Sequence, residues 1–150
     1  MDGGSINGPA RDISTSGNAA LTLQDDLIRV GKAHGRSYAP DPNPGAGSFF
    51  RSDHFSFAKQ GVPAISYGSG NDWVNGGVAA GDAADKAYTR ERYHQPADQW
   101  EASWPFTGMV QDLTLLYTVG SELANSHAWP NWAKDSEFRA TRDESANKRH

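Results

Sequence analysis

The sequence predicts an α/β chain on three observations: an amphipathic helical pattern that follows a short β-favouring stretch, a helix leading into a short buried strand near the middle, and a long apolar helix in the last third. The opening residues, Met1 to Pro9, are glycine-rich and polar and read as a loop. Arg11 to Ser16 has β character, and Gly17-Asn18 breaks it. Leu21, Leu23, Leu27, Ile28 and Val30 then predict a helix from about Ala19 to His34, closed by Gly35. Pro40 to Gly47 carries too much proline and glycine for regular structure.

Ser52 or Asp53 is placed to cap a short helix that turns Phe57 and Ala58 inward and ends at Gly61. Val62 to Tyr67 reads as a buried strand with its proline near the start, where proline is tolerated. Gly68 to Arg92 is weakly patterned and reads as a long loop anchored by Trp73 and Tyr88. Tyr93-His94-Gln95-Pro96-Ala97-Asp98 forms a proline-stiffened turn. The next helix spans Thr107 to Asn125, with Thr107 as cap and Met109, Val110, Leu113, Leu116, Tyr117, Gly120 and Leu123 as its core face. Trp129 and Trp132 are expected to fold back on the body, and the charged stretch from Glu137 to His150 is expected to fray at its end. No internal repeat is present.

With 150 residues the chain has the length of one domain and can bury a single core. A net charge of -4 leaves no basic footprint, which argues against a nucleic-acid partner. No run approaches the roughly 18 apolar residues of a membrane span, and the N-terminus lacks a basic region followed by an apolar one, so neither a membrane nor an export signal is indicated. The absence of cysteine rules out disulfides and thiolate metal sites, so any metal must be held by His, Asp or Glu.

Three positions in turn or helix-entry settings have the donors for such a site: Asp2, the Asp53-His54 pair, and His94 with nearby Asp98. Oxygen and nitrogen ligands of this kind suit zinc or a comparable divalent ion, which activates water and polarises carbonyls. A tyrosine beside the histidine adds a phenol able to donate to developing negative charge. Each residue also has a plain structural reading. Asp2 can be a solvated terminal carboxylate, Asp53 and Asp98 caps, His54 a first-turn residue and His94 a loop residue. His34, His127 and His150 read as surface groups.

Read together, Met1-Asp2 with Gly8-Pro9-Ala10-Arg11-Asp12-Ile13, Arg51-Ser52-Asp53-His54-Phe55-Ser56-Phe57-Ala58 with Gly61-Val62-Pro63-Ala64, and Tyr93-His94-Gln95-Pro96 with Asp98 resemble the C-terminal part of the M28 family of zinc aminopeptidases. Trp129-Pro130-Asn131-Trp132 and Glu137-Phe138-Arg139 resemble the end of bacterial members that carry a protease-associated domain. The resemblance implies a partial, mixed-sheet, three-layer α/β fold truncated on its N-terminal side. It assigns 1–127 to the peptidase domain and 128–150 to a C-terminal extension. It also implies a two-zinc centre with Asp2 and His94 as ligands of different ions and Tyr93 steadying the tetrahedral intermediate. Arg51, Asp53 and His54 fall in a segment near the substrate pocket.

The family also uses a histidine, a bridging aspartate and a glutamate pair upstream of the position matched by Asp2, and this chain has no counterpart for them. One ligand per zinc, where catalytic sites use three, implies weak or absent zinc binding and an inactive isolated chain. The parent activity implied is removal of N-terminal residues from peptides. The alternatives are a glutaminyl-cyclase-like acyltransferase or a non-catalytic binding module on the same scaffold. Loss of the upstream strand is expected to leave an exposed sheet edge and an unfilled core face, with marginal stability, self-association through that edge or dependence on a missing segment as the consequence. Compartment is left open by the residues, although members of the family are often secreted or periplasmic.

Overall fold

The computed structural model describes residues 5–17 and 20–149. It is an α/β fold with a small mixed sheet of three strands in the order β2-β1-β3. Strand β1 (Asp12–Thr15) lies in the middle, parallel to β2 (Ser37–Ala39) and antiparallel to β3 (Tyr67–Gly68). Ile13 is paired with Tyr38, and Thr15 with Tyr67. A parallel neighbour requires a crossover, supplied here by helix α1 (Thr22–Ala33). As the central strand, β1 buries Asp12, Ile13 and Thr15 together, which is why it shows no alternation of polar and apolar residues.

Helix α1 ends as expected. The N–H of His34 donates to the Val30 and Gly31 carbonyls, and Gly35 takes a left-handed φ of 74°. It begins later than its apolar pattern suggests, because Leu21 is extended and bridges to Trp132 while the N–H of Thr22 donates to the Asn131 carbonyl. The first expected turn is thus spent on pairing with a distant segment. Helix α2 (His54–Ala58) is short and stops before Gly61, whose φ of 77° and close approach to the Arg142 backbone leave no room for a side chain. Ala58 is buried, but Phe57 points to solvent, contrary to the inward packing expected of it.

The strand expected over Val62–Tyr67 shrinks to Tyr67–Gly68. Strand β1 ends at Thr15, and the last rung is the Ser16 N–H donating to the Ser66 carbonyl, so residues before Ser66 have no ladder to join. The stretch read as a long loop instead contains helix α3 (Gly77–Glu91). Its helical tendency comes from Ala79, Ala80, Ala83, Ala84 and Ala87 rather than from an apolar stripe, and alanine favours helix without advertising a face. Only Gly81 of α3 is buried, against the Asn71 backbone.

Helix α4 (Thr107–Ala124) matches the expected span, with Phe106 rather than Thr107 at its N-cap. Its buried face differs from the one its apolar pattern indicates. Gly108, Asp112, Leu115 and Val119 face inward, while Val110, Leu113 and Tyr117 are exposed. Leu115 and Val119 join Ile13, Leu27 and Val30 in one core cluster, flanked by Tyr38, Tyr67, Leu116 and Leu123. A second cluster gathers Leu21, Phe49, Ala58 and Trp132, and the partly buried Leu23 and Ile65 touch both. Trp132 is fully enclosed and its indole N–H donates to the Gly61 carbonyl, whereas Trp129 stays exposed. The charged tail is ordered into helix α5 (Arg139–Glu144) and a 3-10 turn at Ala146–Lys148.

The inward face of α4 is organised by charge. Asp112 is 1% exposed and Arg36, between α1 and β2, is 3% exposed. Arg36 Nη1 donates to Asp112 Oδ1 at 2.7 Å. The remaining guanidinium hydrogens go to the Asp12 carbonyl, at 3.1 and 2.7 Å, the Ser69 carbonyl at 2.6 Å and the Tyr67 hydroxyl oxygen at 3.1 Å. Asp112 also accepts from the Tyr67 hydroxyl at 2.6 Å and the Ser69 hydroxyl at 2.5 Å. Burial first, and then the bond to Asp112, pushes the Tyr67 phenol well above its ordinary pKa. Nearby, the Asp12 carboxylate accepts from the backbone N–H of Asn71 and Asp72, and Gly70 (φ 80°) lies so close to it that a Cβ would collide with Asp12 Oδ1.

Removing one charge of this pair strands the other in the core, so Asp112→Asn and Arg36→Met should each cost ~3–5 kcal/mol. The double variant Arg36→Met/Asp112→Asn should lose clearly less than the sum. Urea denaturation of the four proteins measures this; additive losses would mean that the pair is not coupled.

Candidate functional site

The turn that follows α3 is built by local backbone bonding. The N–H groups of Arg92 and Tyr93 both donate to the Tyr88 carbonyl, that of Gln95 to Arg92, and that of Asp98 to Gln95. Side chains brace it further: Gln95 Nε2 donates to the Arg90 carbonyl, Gln99 Nε2 to the Pro96 carbonyl, and the Tyr88 hydroxyl to Asp98 Oδ2 at 2.8 Å. That last bond raises the Tyr88 phenol above its ordinary pKa, with partial burial adding to it. Arg92 and Glu101 close the far side as an ion pair. Asp98 is therefore engaged with Tyr88.

Within this frame His94 adopts a left-handed φ of 58°. Such a conformation costs about 1 kcal/mol in a residue with a Cβ, although histidine tolerates it better than most. The conformation sets the His94 ring against that of Tyr93, with centroids 4.1 Å apart and planes 28° from parallel. Both side chains are solvent-exposed, and neither makes a side-chain hydrogen bond among the described residues. An imidazole and a phenol are thus presented together to the outside on a turn whose shape is fixed.

Arg51, Asp53 and His54 sit elsewhere, at the entrance to α2. Arg51 closes a 3-10 turn (Ser48–Arg51), and its Nη2 donates to the Ala46 carbonyl at 3.0 Å. Asp53 occupies the N-cap position of α2 without a side-chain capping bond. His54 packs edge-on against Phe49, with centroids 4.6 Å apart. Its Nε2 is buried without a hydrogen-bond partner among the described residues. Burial lowers the pKa of this imidazole, with the Asp53 charge opposing the shift.

Phe49 also contacts Phe50, Phe55 and Phe138, and Trp132 stacks at a tilt on Phe138. Beside this aromatic cluster is a cleft of about 450 Å³ lined by Gly17, Phe49, Phe50, Trp132, Glu137 and Phe138. The cleft was not anticipated from the sequence. Its aromatic residues lie in three separate stretches, and no spacing signals that they meet.

Among the described residues no hydrogen bond or ring contact joins the Tyr93-His94 turn to Arg51, Asp53 or His54. Asp2 lies outside the described residues. No group of three or more His, Cys, Asp or Glu side chains able to hold a metal occurs among the described residues. The turn supplies one imidazole, whereas a catalytic zinc takes three protein ligands, so the described donor set does not fit a zinc ion by itself. No helix among the described residues is long and apolar enough to cross a membrane.

The family model described as Peptidase family M28 matches residues 1–118. No curated protein and no solved structure matches the chain.

The setting of His54 yields a pH dependence. Its pKa in the fold lies below the ordinary 6.5, so between the two values the unfolded chain binds more protons than the folded one. Stability should therefore fall as pH drops below about 6.5 and recover above it. His54→Phe keeps a ring against Phe49 and removes the titrating group, so its urea midpoint should depend less on pH between 7 and 5. A wild-type midpoint that rises on acidification in this range, and does so through His54, would contradict the assignment.

Proposed function

The chain belongs to peptidase family M28, and from that membership we propose that it contributes to zinc-dependent removal of N-terminal residues from peptides. The observation that supports this reading is the Tyr93-His94 pair, stacked and exposed on a braced turn inside the matched region. In this reading His94 offers a neutral imidazole nitrogen as a zinc ligand, with Asp2 as ligand to a second zinc. The Tyr93 hydroxyl donates a hydrogen bond to the oxyanion that forms when water adds to the peptide carbonyl next to the free amine. Arg51, Asp53 and His54 border the peptide-binding surface in this reading, with His54 packed against Phe49 of the aromatic cleft.

The bridging carboxylate and general base that such chemistry requires have no assigned residue in this chain, so the chain alone is proposed to be inactive. An acyltransferase or purely binding role finds no separate support in the geometry.

Two measurements on the protein test the reading. Zinc titration followed by NMR should perturb the His94 imidazole weakly and saturably, and His94→Ala should abolish the effect. The chain should show no hydrolysis of an aminoacyl-nitroanilide above background. Robust turnover that is lost with chelator and with His94→Ala would overturn the proposed inactivity, and a zinc effect that persists unchanged in His94→Ala would overturn its role as a ligand.

A further inference from the structure

Helix α4 is apolar on two opposite sides, and the fold uses only one. Opposite the buried Asp112, Leu115 and Val119, the residues Val110, Leu113, Tyr117, Gly120 and Ala124 follow one another along the outer face. Val110 is 61%, Leu113 47% and Tyr117 77% exposed. Apart from the neighbouring backbone of its own helix and its two chain neighbours, no described atom stands within 4 Å of where a Cβ on Gly120 would be. At 1.5 Å per residue the stripe is about 21 Å long.

It carries no charge. The helix has two charged residues, Asp112 and Glu122, and each is already paired, with Arg36 and Arg29 respectively. The occupant of this face must therefore be apolar and uncharged as well, and it must have a hollow for the Tyr117 ring. The stripe itself meets both conditions. When two such helices cross antiparallel about a two-fold axis midway between residues 117 and 120, Tyr117 of each copy lies over Gly120 of the other. In the same register Leu113 of each copy meets Ala124 of the other.

From this complementarity of large and missing side chains, we infer that the outer face of α4 is a self-association surface binding a second copy of this chain in an isologous, antiparallel dimer. A face of this length covers only roughly 400 Å² per copy, in the range of weak and reversible contacts, so the dimer dissociates on dilution. The contact is formed by a helix face, leaving the sheet edges out of it.

Sedimentation velocity over roughly 10 µM to 1 mM tests the inference, with circular dichroism confirming that each variant keeps its helix content. The wild type should shift from monomer to dimer across the range, and Tyr117→Glu should weaken the association at least ~10-fold by placing an unpaired charge in the contact. Because the chain has no cysteine, the register can be checked directly. The double variant Leu113→Cys/Ala124→Cys should form an intermolecular disulfide under mild oxidation, and neither single variant should do so as readily. A wild type that stays monomeric throughout overturns the inference. So does a dimer insensitive to Tyr117→Glu, which would place the contact on another surface such as a sheet edge.

Discussion

The fold depends on a buried ion pair, Arg36 with Asp112, whose members are 76 residues apart. The pair is not simply an added bond between finished elements. Arg36 reaches the Asp12 carbonyl in β1 and the Ser69 carbonyl just beyond β3, while Asp112 draws in the Tyr67 and Ser69 hydroxyls. A short sheet with a two-residue strand at one edge has few ladder bonds of its own. The charged node supplies the cross-links those bonds do not. Two charges taken out of water are costly, and the network offsets that cost only because nearly every donor and acceptor in it is matched. Losing one member therefore reaches α4 and the sheet at once.

That node explains why the sequence is informative about elements and less so about faces. Periodicity locates α1 and α4 because their leucines and valines recur with the helical repeat. On α4 it places Leu116 and Leu123 correctly against the core but turns Val110, Leu113 and Tyr117 inward as well, because the residue that orients the helix is an aspartate, and no local pattern reveals an arginine 76 positions earlier. Helix α3 escapes detection for a different reason: alanine supplies helix propensity without an apolar stripe. The strand at Val62–Tyr67 is overestimated because a strand's length is set by its partner, and β1 ends at Thr15. Each miss is a case in which tertiary context outweighs a local rule.

The candidate site shows the same division. Tyr93 and His94 are adjacent in sequence, and their place on a proline-stiffened turn is legible; their shared exposure and the left-handed backbone that stacks the rings are not. Arg51, Asp53 and His54 form a second locus, whose surroundings depend on Phe138 and Trp132 from the far end of the chain. Both loci lie within the residues that the family model matches, while the described residues keep them as separate neighbourhoods. The outer face of α4 completes the picture, since the orientation imposed by Asp112 is also what turns Val110, Leu113 and Tyr117 toward solvent. One buried charge pair thus organises the core and exposes the surface available for association.

Hydrogen exchange read by mass spectrometry on Asp112→Asn tests the central role of that pair most directly. If the pair ties the elements together, protection should fall together in β1, β3 and α4, with α3, which buries only Gly81, changing little. Loss of protection confined to the residues around position 112, with the sheet unaffected, would contradict the account.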